Sequence, residues 1–71
     1  MKVSNQLSQL ELEILRQVAE GKSTAEIAHN LAADTAIIEY RLSHIYNCYR
    51  AGTRAELIAG AERDGCLTQR H

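Results

Sequence analysis

The sequence predicts an all-α fold of four short helices, and three observations carry that expectation. Apolar residues make up 45% of the 71-residue chain, supplied mainly by Ala, Leu and Ile with three tyrosines as the aromatics, which is the palette of a compact helical domain. Proline is absent and the four glycines are spread out, so no low-complexity linker separates a second domain. Ser8 with Glu11, Ser23 with Glu26 and Thr53 with Glu56 each have the capping-box spacing, in which hydroxyl and carboxylate satisfy each other's backbone amides at a helix start. The chain is expected to form one domain, residues 1–71 with a core from 7 to 67.

The first helix is predicted to begin at Gln9, after the Ser8 cap, and to bury Leu10, Ile14, Leu15, Val18 and Ala19, which recur at helical spacing. Gly21 can take the left-handed conformation that closes it. A short second helix follows the Ser23 cap, its inner face made of Ile27, Ala28 and Leu31. Asp34 is the cap candidate of a third helix whose stripe is Ile38, Leu42, Ile45 and Tyr49, ended by Gly52. The last helix starts after Thr53 and runs through Leu57, Ile58 and Ala61 to Gly65. Helices two and three are joined by the short turn "LAADT", the arrangement of a helix-turn-helix whose second member can enter a DNA groove.

The formal net charge of −1 conceals a gradient. Residues 1–36 carry Lys2, Arg16 and Lys22 against Glu11, Glu13, Glu20, Glu26 and Asp34, whereas residues 37–54 carry Arg41, Arg50 and Arg54 against Glu39, with His44 as a further cation when protonated. Any basic patch lies in that second stretch, and it is thin for a nucleic-acid-binding domain. No apolar run approaches a membrane span, and "MKVSNQLSQLE" turns polar too early for a secretory signal, so no membrane association and a cytoplasmic location are expected. Cys48 and Cys66 are then expected to stay reduced, and neither belongs to a CxxC zinc spacing. His44 and Cys48 stand at i, i+4, a two-ligand metal edge without further convergent ligands, so no metal and no cofactor are expected. Catalysis finds no nucleophile with a base and orienting acid at compatible positions and no glycine-rich phosphate loop; no enzyme and no catalytic residues are expected.

The motifs narrow the fold further. "LSQLELEIL" at residues 7–15 resembles the LTxRExEVL opening of the C-terminal domain of LuxR-type regulators, and "AEGKSTAEIAHNL" at 19–31 matches the AxGxSxxEIAxxL of the same family. The register continues without a gap: residues 34–49 resemble SxxTVKxHxxxIxxKL with Ile38 and Ile45 in place, and residues 51–67 resemble VxxRxxAVxxAxxxGLI with Arg54, Ile58, Ala61 and Gly65 in place. The resemblance implies a tetrahelical helix-turn-helix fold acting as a small transcriptional regulator on double-stranded DNA, with the third helix in the major groove and a homodimer built on the fourth. Carried over by position, it implies base-edge contacts at Glu39, Tyr40 and Ser43, phosphate-side contacts at Ser23, Thr24, Ile37, Arg41, His44 and Arg54, and a dimer interface at Ala55, Ile58, Ala59 and Glu62. LuxR-type domains usually follow a receiver or ligand-sensing domain. Here Met1 stands a few residues before the first cap, so the chain is expected to be either a free-standing regulator or a fragment cut at that point.

The departures from the family pattern concentrate on the DNA-facing surface: Ile37 replaces threonine, Glu39 a lysine or polar residue, Arg41 histidine, Cys48 lysine, and Leu10 the arginine of the first helix. Ile37 and Cys48 each have an apolar reading, as an extension of the stripe beside Ile38 and as a small buried hydrophobe. Tyr49 is expected to pack, whereas Tyr40 and Tyr46 are available to stack or bind. Two readings follow. In the first, α-helical recognition of DNA persists, with Glu39 accepting from cytosine and Arg41 adding permanent charge. In the second, Ile37, Ile38, Glu39, Leu10 and Leu12 have turned the fold toward a protein partner such as another transcription regulator, making the chain an adaptor or antagonist.

Overall fold

The computed structural model describes residues 3–65. A short 3₁₀ helix at Val3–Gln6 precedes four α-helices: α1, Gln9–Ala19; α2, Thr24–Asn30; α3, Thr35–Tyr49; and α4, Arg54–Asp64. No strand occurs among the described residues, and none of their helices is long and apolar enough to cross a membrane. The 3₁₀ helix has no signature in the capping pattern and packs against α3 and α4. Cys66 and Leu67, the end of the expected core, lie outside the described residues.

Two of the three capping boxes are complete. Glu11 N–H donates to Ser8 Oγ at 3.2 Å while Ser8 N–H donates to Glu11 Oε1 at 2.9 Å. The Ser23 and Glu26 pair repeats this at 3.1 and 2.8 Å. Since the hydroxyl satisfies an otherwise orphaned amide, Ser23→Ala will cost about 1 kcal/mol of stability. Urea unfolding checks it: an unchanged midpoint means that α2 does not depend on this cap. The third box is only half formed. Glu56 N–H donates to Thr53 Oγ1 at 3.1 Å, but the Glu56 carboxylate reaches one residue further back and accepts from Gly52 N–H at 2.7 Å.

The chain stops its helices partly where glycine permits and partly where it does not. Gly21 (φ +88°) and Gly65 (φ +85°) take the left-handed conformation. At the end of α3 that role falls to Arg50 (φ +53°), not Gly52, with Ala51 N–H returning to Tyr46 O at 3.0 Å. Ala32 (φ +54°) does the same in the turn between α2 and α3, a conformation costing an L-residue about 1–2 kcal/mol. Asp34 occupies the N-cap position of α3 with extended backbone, but its side chain makes no capping hydrogen bond.

The core consists of Leu7, Ile14, Leu15, Val18, Ile27, Ala28, Ile38, Leu42, Ile45, Leu57 and Ala61. α3 lies across α1 and α2 and also meets α4, so the element expected to touch DNA is supported on its inner side by the other three. Several expected core residues sit nearer the edge: Leu10, Leu31, Tyr49 and Ile58 are half-buried and Ala19 is exposed. Leu12 is likewise half-buried against the core, which removes much of the free apolar surface expected on α1. Gly60 is buried because α4 passes close to α3 there; a Cβ at that position would stand 3.2 Å from Tyr49 Cδ1. Gly60 therefore serves the chain's own α3–α4 contact.

Candidate nucleic-acid interface

At about 100° per residue, burying Ile38, Leu42 and Ile45 turns Tyr40, Ser43 and Asn47 outward on the opposite stripe of α3. All three are exposed, Tyr40 at 72%. The resemblance does not point to Asn47; its signal is phase alone, one turn beyond Ser43. Glu39 is exposed on one flank of this stripe. Ile37, Arg41, His44 and Cys48 share the other flank. Ile37 is 45% exposed, so it does not extend the apolar stripe into the core. Tyr46 packs partly against the core, leaving Tyr40 as the tyrosine free to stack.

The flank that carries Arg41 and His44 faces α1, where Glu11 is buried. Glu11 divides its two carboxylate oxygens between two tasks. Oε1 accepts from the Ser8 amide, while Oε2 lies 2.7 Å from His44 Nδ1 and 3.7 Å from Arg41 Nη1. Burial pushes the Glu11 carboxyl up, but the Ser8 amide, His44 and Arg41 together outweigh it and hold the group below its ordinary range. Glu11 is thus a carboxylate, and a carboxylate requires the hydrogen to reside on His44 Nδ1. The other ring nitrogen, Nε2, lies 3.5 Å from Cys48 Sγ. The fold therefore places a carboxylate, an imidazole and a thiol in series, a grouping that sequence positions alone do not suggest. The three stand in series through both ring nitrogens rather than converging on a point, and no group of three metal-ligating side chains occurs among the described residues.

Ser23, Thr24 and Arg54 form a second cluster. Arg54 Nη1 donates to the carbonyls of Lys22 at 3.1 Å and Val18 at 3.4 Å, which fixes the start of α4 to the turn just before α2. The guanidinium remains exposed next to the first turn of α2, where Ser23 is also exposed and Thr24 half-buried. Helix α4 presents Ala55, Ile58, Ala59 and Glu62 at i, i+3, i+4 and i+7, on the side opposite Leu57 and Ala61. Ala55 and Glu62 are exposed, Ile58 and Ala59 half-buried.

A helix-turn-helix with an outward stripe on its second member, braced by a third and fourth helix, is matched over residues 5–61 by the family model described as bacterial regulatory proteins of the luxR family. The chain belongs to this LuxR family. Among curated relatives, it is 33% identical over 63 residues to the transcriptional regulatory protein YdfI of Bacillus subtilis (strain 168), covering 89% of this chain and 30% of that protein. It is 38% identical over 61 residues to the transcriptional regulatory protein ComA of the same organism, covering 86% of this chain and 28% of ComA. Among solved structures, the crystal structure of the phage VqmA-DPO complex superposes with a TM-score of 0.80 at 28% identity, over 90% of this chain and 29% of that one. The chain thus spans under a third of the length of these relatives. The LuxR family comprises transcription regulators, not enzymes.

Proposed function

We propose that this LuxR-type chain regulates transcription by binding double-stranded DNA through α3, as a cytoplasmic homodimer joined through α4, with the helix-turn-helix unit of residues 7–67 acting as one body. The observation that carries the reading is the exposed α3 stripe of Tyr40, Ser43 and Asn47 on a helix braced from behind. Ser43 and Asn47 supply hydrogen-bonding groups toward base edges, and Tyr40 an apolar face with a hydroxyl. Ser23, Thr24 and Arg54, gathered beside the first turn of α2, supply phosphate-side groups, with Ile37 in van der Waals contact along the backbone. Arg41 and His44 keep enough exposure to reach phosphate from the Glu11 flank, though the Arg41 charge is partly compensated there. Fluorescence anisotropy with genomic and random duplexes at low salt tests the reading; no binding at any attainable concentration would overturn it.

The dimer rests on the i, i+3, i+4, i+7 stripe of Ala55, Ile58, Ala59 and Glu62, whose small residues permit close helix approach. Ala59→Arg will shift sedimentation toward monomer and leave helical content nearly unchanged, because the side chain points away from the core. A wild type that is strictly monomeric at high concentration removes this interface.

A specific observation favours a second reading. Glu39, Ile37 and Tyr40 leave the outer face of α3 mixed in charge and partly apolar, while Glu11 engages Arg41 and His44. Such a surface suits a protein partner, for instance another transcription regulator that the chain would antagonise. Co-purification in parallel with the anisotropy series separates the two.

A further inference from the structure

Beyond DNA recognition, the flank of α3 that faces α1 holds Glu11, His44 and Cys48 in series. Cys48 is half-buried, its Sγ 3.5 Å from His44 Nε2, and the opposite ring nitrogen is held at 2.7 Å by the buried Glu11 carboxylate. Because Glu11 fixes the hydrogen on Nδ1, neutral His44 presents Nε2 as an acceptor to the thiol. Cys48 also lines a surface recess of about 380 Å³ with Tyr49, Arg50, Gly60, Arg63 and Asp64. The recess carries two exposed guanidiniums against one carboxylate, and the Asp64 carboxylate already accepts from the Tyr49 hydroxyl at 3.1 Å.

We propose that Cys48 is a thiol–disulfide exchange site, with His44 as its base and Glu11 as the residue positioning that base, and that Arg50 and Arg63 select small disulfides bearing carboxylates. In the exchange, the thiol proton passes to His44 Nε2 as the Cys48 sulfur attacks one sulfur of the disulfide R–S–S–R. A new Cys48–S–S–R bond forms, the old S–S bond breaks, and its electron pair leaves with R–S⁻, which takes the proton from His44. Cys48 is oxidised and half of the small disulfide is reduced, so atoms and electrons balance without a further reagent. Burial and the Glu11 charge hold the Cys48 thiol above its ordinary range, which lowers its thiolate fraction, so any acceleration on folding has to come from proton transfer to His44. Arginine is suited to the selecting role because its planar fork pairs with carboxylate in two parallel hydrogen bonds.

The test follows adduct formation by intact-protein mass spectrometry on the full chain carrying Cys66→Ser, so that Cys48 is the thiol observed. Oxidised glutathione serves as the anionic probe and cystamine as the cationic one, each compared with the same chain unfolded in urea. Folding should accelerate reaction with oxidised glutathione by at least about tenfold, a modest share of what a positioned general base supplies. His44→Gln should abolish the acceleration for both probes. Arg50→Gln with Arg63→Gln should lower the oxidised glutathione rate several-fold while sparing cystamine. Glu11→Gln, which retains a hydrogen-bonding group beside His44, should keep more of the acceleration than Glu11→Ala and leave the ratio between probes unchanged. Circular dichroism selects temperatures at which every variant is folded. A native rate no greater than that of the unfolded chain, or a probe ratio indifferent to both arginines, overturns the proposal.

Discussion

Glu11→Ala will lower the stability of the chain by about 2–3 kcal/mol, which for a domain of this size is a fall of about 10–20 °C in Tm. The estimate combines a lost capping box, worth about 1 kcal/mol, with charge-assisted contacts to His44 and Arg41 that are discounted because both partners are roughly half exposed. Glu11→Gln keeps the shape and a hydrogen-bonding group, and should lose only about 1 kcal/mol. The two variants differ in their pH dependence as well. The folded-state pKa of Glu11 lies below its unfolded value, so its contribution is fully present above the ordinary carboxylate range and is lost as pH falls through the lower, folded value. The stability gap between wild type and Glu11→Gln should therefore be widest near neutrality and close on acidification. Urea midpoints measured for both chains down through the acid range check this. A Glu11→Gln chain that matches wild type at every pH would show that the carboxylate charge contributes nothing.

The same residue marks where the sequence was legible and where it was not. Ser8 and Ser23 could be placed because a capping box is closed within three residues, so its chemistry is visible locally. The helix phases were equally legible, since Ile14, Leu15, Val18, Ile38, Leu42 and Ile45 keep a regular period and all are buried. Of Glu11, only the oxygen that closes the capping box is legible locally. It precedes Ile14, Leu15 and Val18 by three, four and seven residues and so shares their buried stripe, and a buried carboxylate needs cationic or hydrogen-bonding partners. That signal was present, but its partners stand thirty or more positions away, on a flank of α3 that only packing brings to α1. Helix ends depend on packing too. Arg50, not Gly52, takes the left-handed conformation at the end of α3, and Glu56 then caps Gly52 instead of completing the box with Thr53. The family position of Arg54 implies phosphate, and its hydrogen bonds to Val18 and Lys22 add a structural task that no local pattern announces.

Glu39→Lys will raise general DNA affinity on the order of tenfold at low salt if α3 enters the major groove, because a carboxylate facing phosphates is replaced by an ammonium that displaces a counterion. The slope of log affinity against log salt should steepen by about one for the new phosphate contact. Glu39 is the residue where the two functional readings part. It lies in the leading half of α3, exposed, on the flank away from Glu11, so the substitution disturbs neither the core nor the Arg41 and His44 contacts. Base preference should also change at the pair it faces, since a carboxylate accepts from cytosine N4 whereas an ammonium donates to guanine O6 and N7. A protein-directed α3 gives the opposite pattern: the same substitution weakens a co-purifying partner and leaves DNA binding negligible. Anisotropy titrations of wild type and Glu39→Lys across a salt series, alongside the partner's affinity, distinguish these outcomes. DNA affinity that is measurable but identical for the two chains at every salt concentration would place Glu39 outside the groove and turn the base-reading role over to Tyr40, Ser43 and Asn47.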